Sequence, residues 1–194
     1  MNSVSSAAGW AAGRDWRWRL PLILYLAYTA ARGYTQPMEW SWWSGITLAV
    51  HEAGHIIFSP FGTVLEAAGG SITQIAAPAL VIWLFRKQGE WFGMTVGGMW
   101  LASSLANLAT YIGDARAQEL ELVGFTDQPQ HDWNFILGHF HALSSDTAIA
   151  AIVRAIGVTE LITSTLFALW LCWLMMRTTV RSSGGTEVSG ERDA

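Results

Sequence analysis

Charged residues and cysteine are both scarce in this chain. Only 13% of its 194 residues are charged, and the net charge of −4 gives no reason to expect nucleic-acid binding. The single cysteine, Cys172, excludes an internal disulfide and says nothing about the redox compartment. Residues 1–13 are mostly small and show no cleavable signal pattern, so we expect no removed leader.

Apolar residues, in contrast, make up 52% of the chain and include 12 tryptophans. This content argues against disorder and predicts a single-domain, all-α integral membrane protein. We expect a bundle of about five transmembrane helices, in the apolar segments 20–35, 44–59, 71–85, 91–112 and 158–176. A short amphipathic helix is predicted within residues 131–143, lying on the membrane surface or over a functional site.

The polar ends of the chain define three regions. Residues 1–19 are interpreted as a tail and an interfacial collar, because arginines alternate with tryptophans from position 14 to position 19. Residues 20–178 form the predicted membrane-embedded domain, and the polar residues 179–194 are predicted to be disordered.

Glycines and serines mark three further predicted features of the domain. Residues 61–70 are interpreted as a glycine-bounded re-entrant or interfacial loop, which could offer a strand edge to a substrate. Gly93 and Gly97 form a G-x-x-x-G pair, which predicts close packing on another helix. A separate helix is expected over residues 144–156, before the last membrane segment.

The most informative motif is H-E-x-x-H at residues 51–55, inside the apolar segment 44–60. Helical positions four apart share one face, so His51 and His55 can direct ring nitrogens at one metal ion. Glu52 lies where its carboxylate can reach a metal-bound water and act as general base. Ionisable groups in apolar membrane segments are costly and usually functional, which favours a zinc site over a chance match.

A catalytic zinc site needs three protein ligands and one open position. The candidates for the third ligand are Asp114, His131, Asp132, His139 and His141, with Asn107 and Glu66 less favoured. Alternating helices bring Asp114 to the level of His55, which makes it the first choice, with His131 or Asp132 as the alternative. Asn107 is also expected to line the substrate cleft.

With these residues in hand, the sequence resembles the site-2 protease family of intramembrane zinc metalloproteases. The resemblance is carried by H-E-x-G-H at residues 51–55 and more loosely by residues 69–78. It implies a third zinc ligand from an aspartate on a later membrane helix, in an Asn-Pro-Asp-Gly type motif. Asn107 and Asp114 match that location, although the chain contains no such string.

Together these features predict a zinc metalloendopeptidase of a prokaryotic plasma membrane. Its substrates would be peptide segments of membrane proteins, hydrolysed by zinc-activated water with Glu52 as general base. The alternatives are a non-catalytic metal-binding scaffold or degenerate protease that binds partner helices, and a small transporter with an intramembrane His/Glu site. The sequence does not indicate an oligomeric state.

Overall fold

The fold is a bundle of helices. A computed structural model describes residues 6–37, 39–122 and 130–184, with side chains described as far as residue 178. All regular structure in these ranges is helical, as the sequence predicted. The α-helices are α1 (Ala7–Ala11), α2 (Arg19–Thr35), α3 (Trp42–Phe58), α4 (Thr63–Gln88), α5 (Trp91–Gly113), α6 (Asp132–His139) and α7 (Asp146–Gly184).

Helix α5 lies at the centre and packs against α2, α3, α4 and α7. Its middle is rich in small residues, and most of the side chains from residue 102 to 109 are buried. Small residues let neighbouring backbones approach closely. A Cβ on Gly97 would lie 2.9 Å from the side chain of Ile82 in α4, so the expected packing of the G-x-x-x-G face on another helix is confirmed.

Among the described residues, two helical stretches are long and apolar enough to cross a membrane, namely α4 and Leu143–Thr178. The helical class is therefore confirmed, whereas the bundle of five spans is not and stays a prediction. Helices α2 and α3 have 17 residues each, or about 26 Å, which is short of a hydrocarbon core of about 30 Å.

The expected loop at residues 61–70 is wrong. Helix α4 already begins at Thr63, after Gly62, whose positive φ of 96° reverses the chain. Gly69 and Gly70 lie inside α4, at the point where α3 crosses it closely. A Cβ on Gly69 would lie 2.6 Å from the carbonyl oxygen of Gly54, so no larger residue fits.

The ends of the chain also differ from the prediction. In the predicted tail, Trp10 and Ala11 of α1 are buried in a cluster with Leu171 and Met175 of α7. Helix α7 is continuous where two helices were expected, and it extends to Gly184. The rest of the predicted disordered tail, residues 185–194, lies outside the described residues.

Candidate metal centre

Helix α3 presents the motif side chains on one face. The ring centroids of His51 and His55 lie 4.9 Å apart, with His51 buried and His55 half-buried. His51, Glu52 and His55 each offer a ligand atom, and these atoms all lie within 4.8 Å of one another. The group could therefore hold a metal ion.

Asp132, at the start of α6, approaches both histidines. Its Oδ2 lies 3.1 Å from His51 Nε2 and 3.3 Å from His55 Nε2. In a tetrahedral site with bonds of about 2.0–2.1 Å, neighbouring ligand atoms are separated by about 3.3 Å. The distances to Asp132 match this separation, so Asp132, besides Glu52, could serve as a donor.

The outer nitrogens of the histidines fix their protonation. His55 Nδ1 lies 2.8 Å from the carbonyl oxygen of Glu66, which can only accept a hydrogen bond, so Nδ1 carries the proton. His51 Nδ1 lies 2.9 Å from Gln74 Oε1. The amide nitrogen of Gln74 donates to the Ser104 carbonyl at 2.9 Å, so its oxygen faces His51 and accepts.

This arrangement directs Nε2 of both histidines at Oδ2 of Asp132. In a neutral ring whose proton is on Nδ1, Nε2 carries a lone pair, whereas in a doubly protonated ring Nε2 donates to Oδ2 of Asp132. With both rings neutral, these three acceptors repel one another unless a cation or an added proton lies between them. Histidines that donate Nδ1–H to an oxygen and direct Nε2 inward are typical of metal sites, so the donor set fits a metal ion.

Asp114, the first choice for the third ligand, contacts other groups and not the histidine pair of the motif. Its two carboxylate oxygens accept from the backbone N–H groups of Glu119, at 2.9 Å, and Leu120, at 3.1 Å. It closes the turn after α5 and faces His131 Nε2 at 3.4 Å. The structure thus brings Asp132, the alternative, to the histidine pair, whereas Asp114 accepts hydrogen bonds within the turn that follows α5.

His131 is the N-cap of α6. Its Nδ1 accepts from the backbone N–H of Asn134 at 3.2 Å, so the ring contributes its lone pair to the helix and not to a metal. Burial lowers the pKa of His131, and the nearby Asp114 opposes this shift. Burial raises the pKa of Asp132, but its contacts with His51 and His55 outweigh burial and hold the pKa below its usual value.

The remaining predicted residues have separate positions. Asn107 lines the cavity beside the site and accepts a hydrogen bond from the Gln74 amide at 3.1 Å. Glu66 contributes its backbone carbonyl, while its side chain is exposed. His139 and His141 are exposed at the far end of α6, away from its first turn.

A cavity of about 840 Å³ opens beside the histidine pair. It is lined by His51, Glu52, His55 and Asp132, and its outer walls include Trp40 and other apolar side chains. This volume lies within the range of about 300–1,000 Å³ that is typical of ligand sites. The candidate donors are therefore accessible to a molecule larger than water.

No protein-family model, no curated protein and no solved structure matches the chain. The resemblance to site-2 proteases rests on the motif at residues 51–55.

Sequence reasoning missed two residues that hold the site together. Gln74 is the only amide side chain in the apolar segment 71–85, and that isolation was a usable signal. Tyr111 hydrogen bonds to Asp132, accepting from its backbone N–H at 2.9 Å. A tyrosine near the end of an apolar helix is common, so nothing in the sequence distinguished it.

Proposed function

We propose that the chain is a membrane-embedded zinc metallopeptidase that hydrolyses peptide bonds of membrane proteins. The observation that carries the proposal is the convergence of His51 Nε2, His55 Nε2 and Asp132 Oδ2 beside Glu52, at the wall of the large cavity. Three donors leave one position open, which is the arrangement of catalytic zinc rather than structural zinc.

Nitrogen and oxygen donors of this kind suit zinc. Two imidazoles and one carboxylate form a common catalytic zinc set, and zinc accepts the tetrahedral spacing described above. His51, His55 and Asp132 would hold the ion. When bound, zinc acidifies water and polarises a carbonyl group.

Glu52 supplies the proton transfer. Its side chain lies in the cavity wall next to the histidine pair, so it would be within reach of a water molecule bound to an ion that these histidines held. The carboxylate takes a proton from the attacking water and then gives it to the amine that leaves as the peptide bond breaks. The same residue therefore acts as general base and then as general acid.

The surrounding helices support a membrane location. Helix α4 and the stretch Leu143–Thr178 have the length and hydropathy of membrane spans. Ile56, which also lines the cavity, and its neighbour Ile57 in α3 are 68% and 57% exposed, which favours a lipid environment over water. We therefore place α2, α3 and α5 in the membrane as well, giving five spans in the plasma membrane of a prokaryote.

The test is cleavage of a single-span membrane peptide by the purified full-length protein in detergent. We expect wild type to bind about one zinc ion per chain and to cleave the peptide. Glu52→Gln should keep the zinc and lose cleavage. Glu66→Gln is the matched control, because it neutralises another carboxylate on the cavity wall and should retain cleavage. Cleavage by Glu52→Gln at the wild-type rate would overturn the mechanism.

A second function, a non-catalytic metal-binding scaffold, is favoured by one observation. Glu52 lies within 4.8 Å of the ligand atoms of both histidines, close enough to become a fourth ligand with a small movement. Four protein ligands would close the site. In that case Glu52→Gln would weaken zinc binding strongly, whereas a general base leaves zinc affinity nearly unchanged.

A further inference from the structure

Tyr111, near the end of α5, makes two hydrogen bonds with the same residue of α6. Its hydroxyl oxygen accepts from the backbone N–H of Asp132 at 2.9 Å. The hydroxyl also donates to Asp132 Oδ2 at 3.3 Å. A phenol has only one O–H, so this proton is committed to Oδ2, the same oxygen that faces both histidines.

The ring of Tyr111 makes a further contact with α6. It stacks on the ring of His131, with centroids 4.3 Å apart and an interplanar angle of 26°. The N-cap and the first residue of α6 are thus both held by one side chain of α5. The other polar ties of this turn, from Trp133 to Ser71 and from Asn134 to the Ala115 carbonyl, do not reach the carboxylate.

We propose that Tyr111 is the positioning residue that fixes the carboxylate of Asp132 against His51 and His55. The inference rests on the proposed zinc site. Without the hydroxyl, Asp132 can rotate about its side-chain bonds, and Oδ2 loses the hydrogen bond that selects its orientation. Partners of this kind, one step removed from a metal, change metal affinity by about 10- to 100-fold.

Tyr34 provides a matched control. Like Tyr111 it is a half-buried tyrosine between helices, and its hydroxyl donates to the Ala102 carbonyl at 2.6 Å. Tyr34→Phe therefore removes a comparable hydrogen bond without touching the site. Tyr111→Phe keeps the ring that stacks on His131, so both variants retain their packing.

The experiment is a zinc titration of the full-length protein against a chromophoric chelator, followed by substitution with cobalt. We expect Tyr111→Phe to bind zinc about 10- to 100-fold more weakly than wild type, and Tyr34→Phe to stay within about twofold. The visible absorption of the cobalt form should change in Tyr111→Phe alone. Equal zinc affinity in the two variants would overturn the inference.

A double-mutant cycle shows whether Tyr111 acts through Asp132. If it does, Tyr111→Phe causes no further loss of zinc affinity in an Asp132→Ala background. An undiminished loss in that background would contradict the proposed role. If wild type binds no zinc, the proposed function fails together with this inference. If wild type binds zinc and Tyr111→Phe binds equally well, only the role of Tyr111 fails.

Discussion

Gly70→Ala tests the close approach of α4 to the histidine pair. A Cβ at Gly70 would lie 2.5 Å from Nε2, 2.6 Å from Cε1 and 2.7 Å from Cδ2 of His51. Non-bonded heavy atoms prefer separations of about 3.5–4.0 Å, so the ring must move by about 1 Å. Metal–ligand distances tolerate only about 0.2 Å, so we expect His51 to be lost as a ligand.

The expected result is a fall in zinc affinity larger than the roughly 10- to 100-fold effect of removing a hydrogen-bond partner of a ligand. Overpacking should also cost about 1–3 kcal/mol of stability, offset by about 1 kcal/mol from the better helix propensity of alanine. The measurements are zinc competition with a chelator and the melting temperature of the metal-free protein.

Gly33→Ala in α2 is the control for Gly70→Ala. Its new Cβ would lie 3.4 Å from the Cβ of Ala106, which is ordinary contact, so it gains helix propensity without displacing a ligand. We expect wild-type zinc affinity in this variant. If folded Gly70→Ala binds zinc as tightly as Gly33→Ala, then α4 does not pack on His51 as described and the reasoning is refuted.

Two further predictions concern single side chains near the site. Gln74→Leu removes the acceptor of His51 Nδ1–H and should weaken zinc binding about 10- to 100-fold in the same titration. Gln74→Glu keeps an acceptor oxygen, so its loss of zinc affinity should be smaller. Burial lowers the pKa of His131 below its usual value near 6.5, so the unfolded chain binds a proton on this imidazole more readily than the folded chain does. The free energy of unfolding should therefore fall as the pH drops through about 6.5. From pH 8 to pH 5, the melting temperature of the zinc-loaded protein should decline less in His131→Asn, which keeps a capping oxygen, than in wild type. An equal decline in both proteins would contradict the role of His131 in this pH dependence.

Local patterns in the sequence were sufficient to predict the histidine pair. The positions of His51 and His55 follow from helical periodicity alone, because residues four apart share a face in any α-helix. The helical class followed equally from apolar content and length. These features depend only on residues that are close in sequence, so they can be predicted without the tertiary structure.

The choice between Asp114 and Asp132 depended on tertiary structure. Asp114 was favoured because it follows a predicted membrane helix. A residue just beyond a helix end is, however, also where a carboxylate accepts from the next backbone N–H groups. Asp132 reaches the site because α6 packs on α4, which places the first residue of α6 against the histidines of α3. No periodicity encodes that return, so the sequence could only leave Asp132 as an alternative.

The glycines of α4 show how one misread pattern concealed part of the site. Gly69 and Gly70 suggested a loop, because glycine is common where helices end. Their actual effect is to let α3 and α4 cross so closely that Thr73 donates to the Val50 carbonyl at 3.0 Å. That crossing places the side chain of Gln74 within hydrogen-bonding distance of His51.

The same crossing brings the Glu66 carbonyl to His55 Nδ1. Both inward-facing Nε2 atoms therefore owe their orientation to the spacing that the glycines allow. The small residues of α4 thus allow the close helix crossing that places a hydrogen-bond partner beside each histidine of the candidate metal centre.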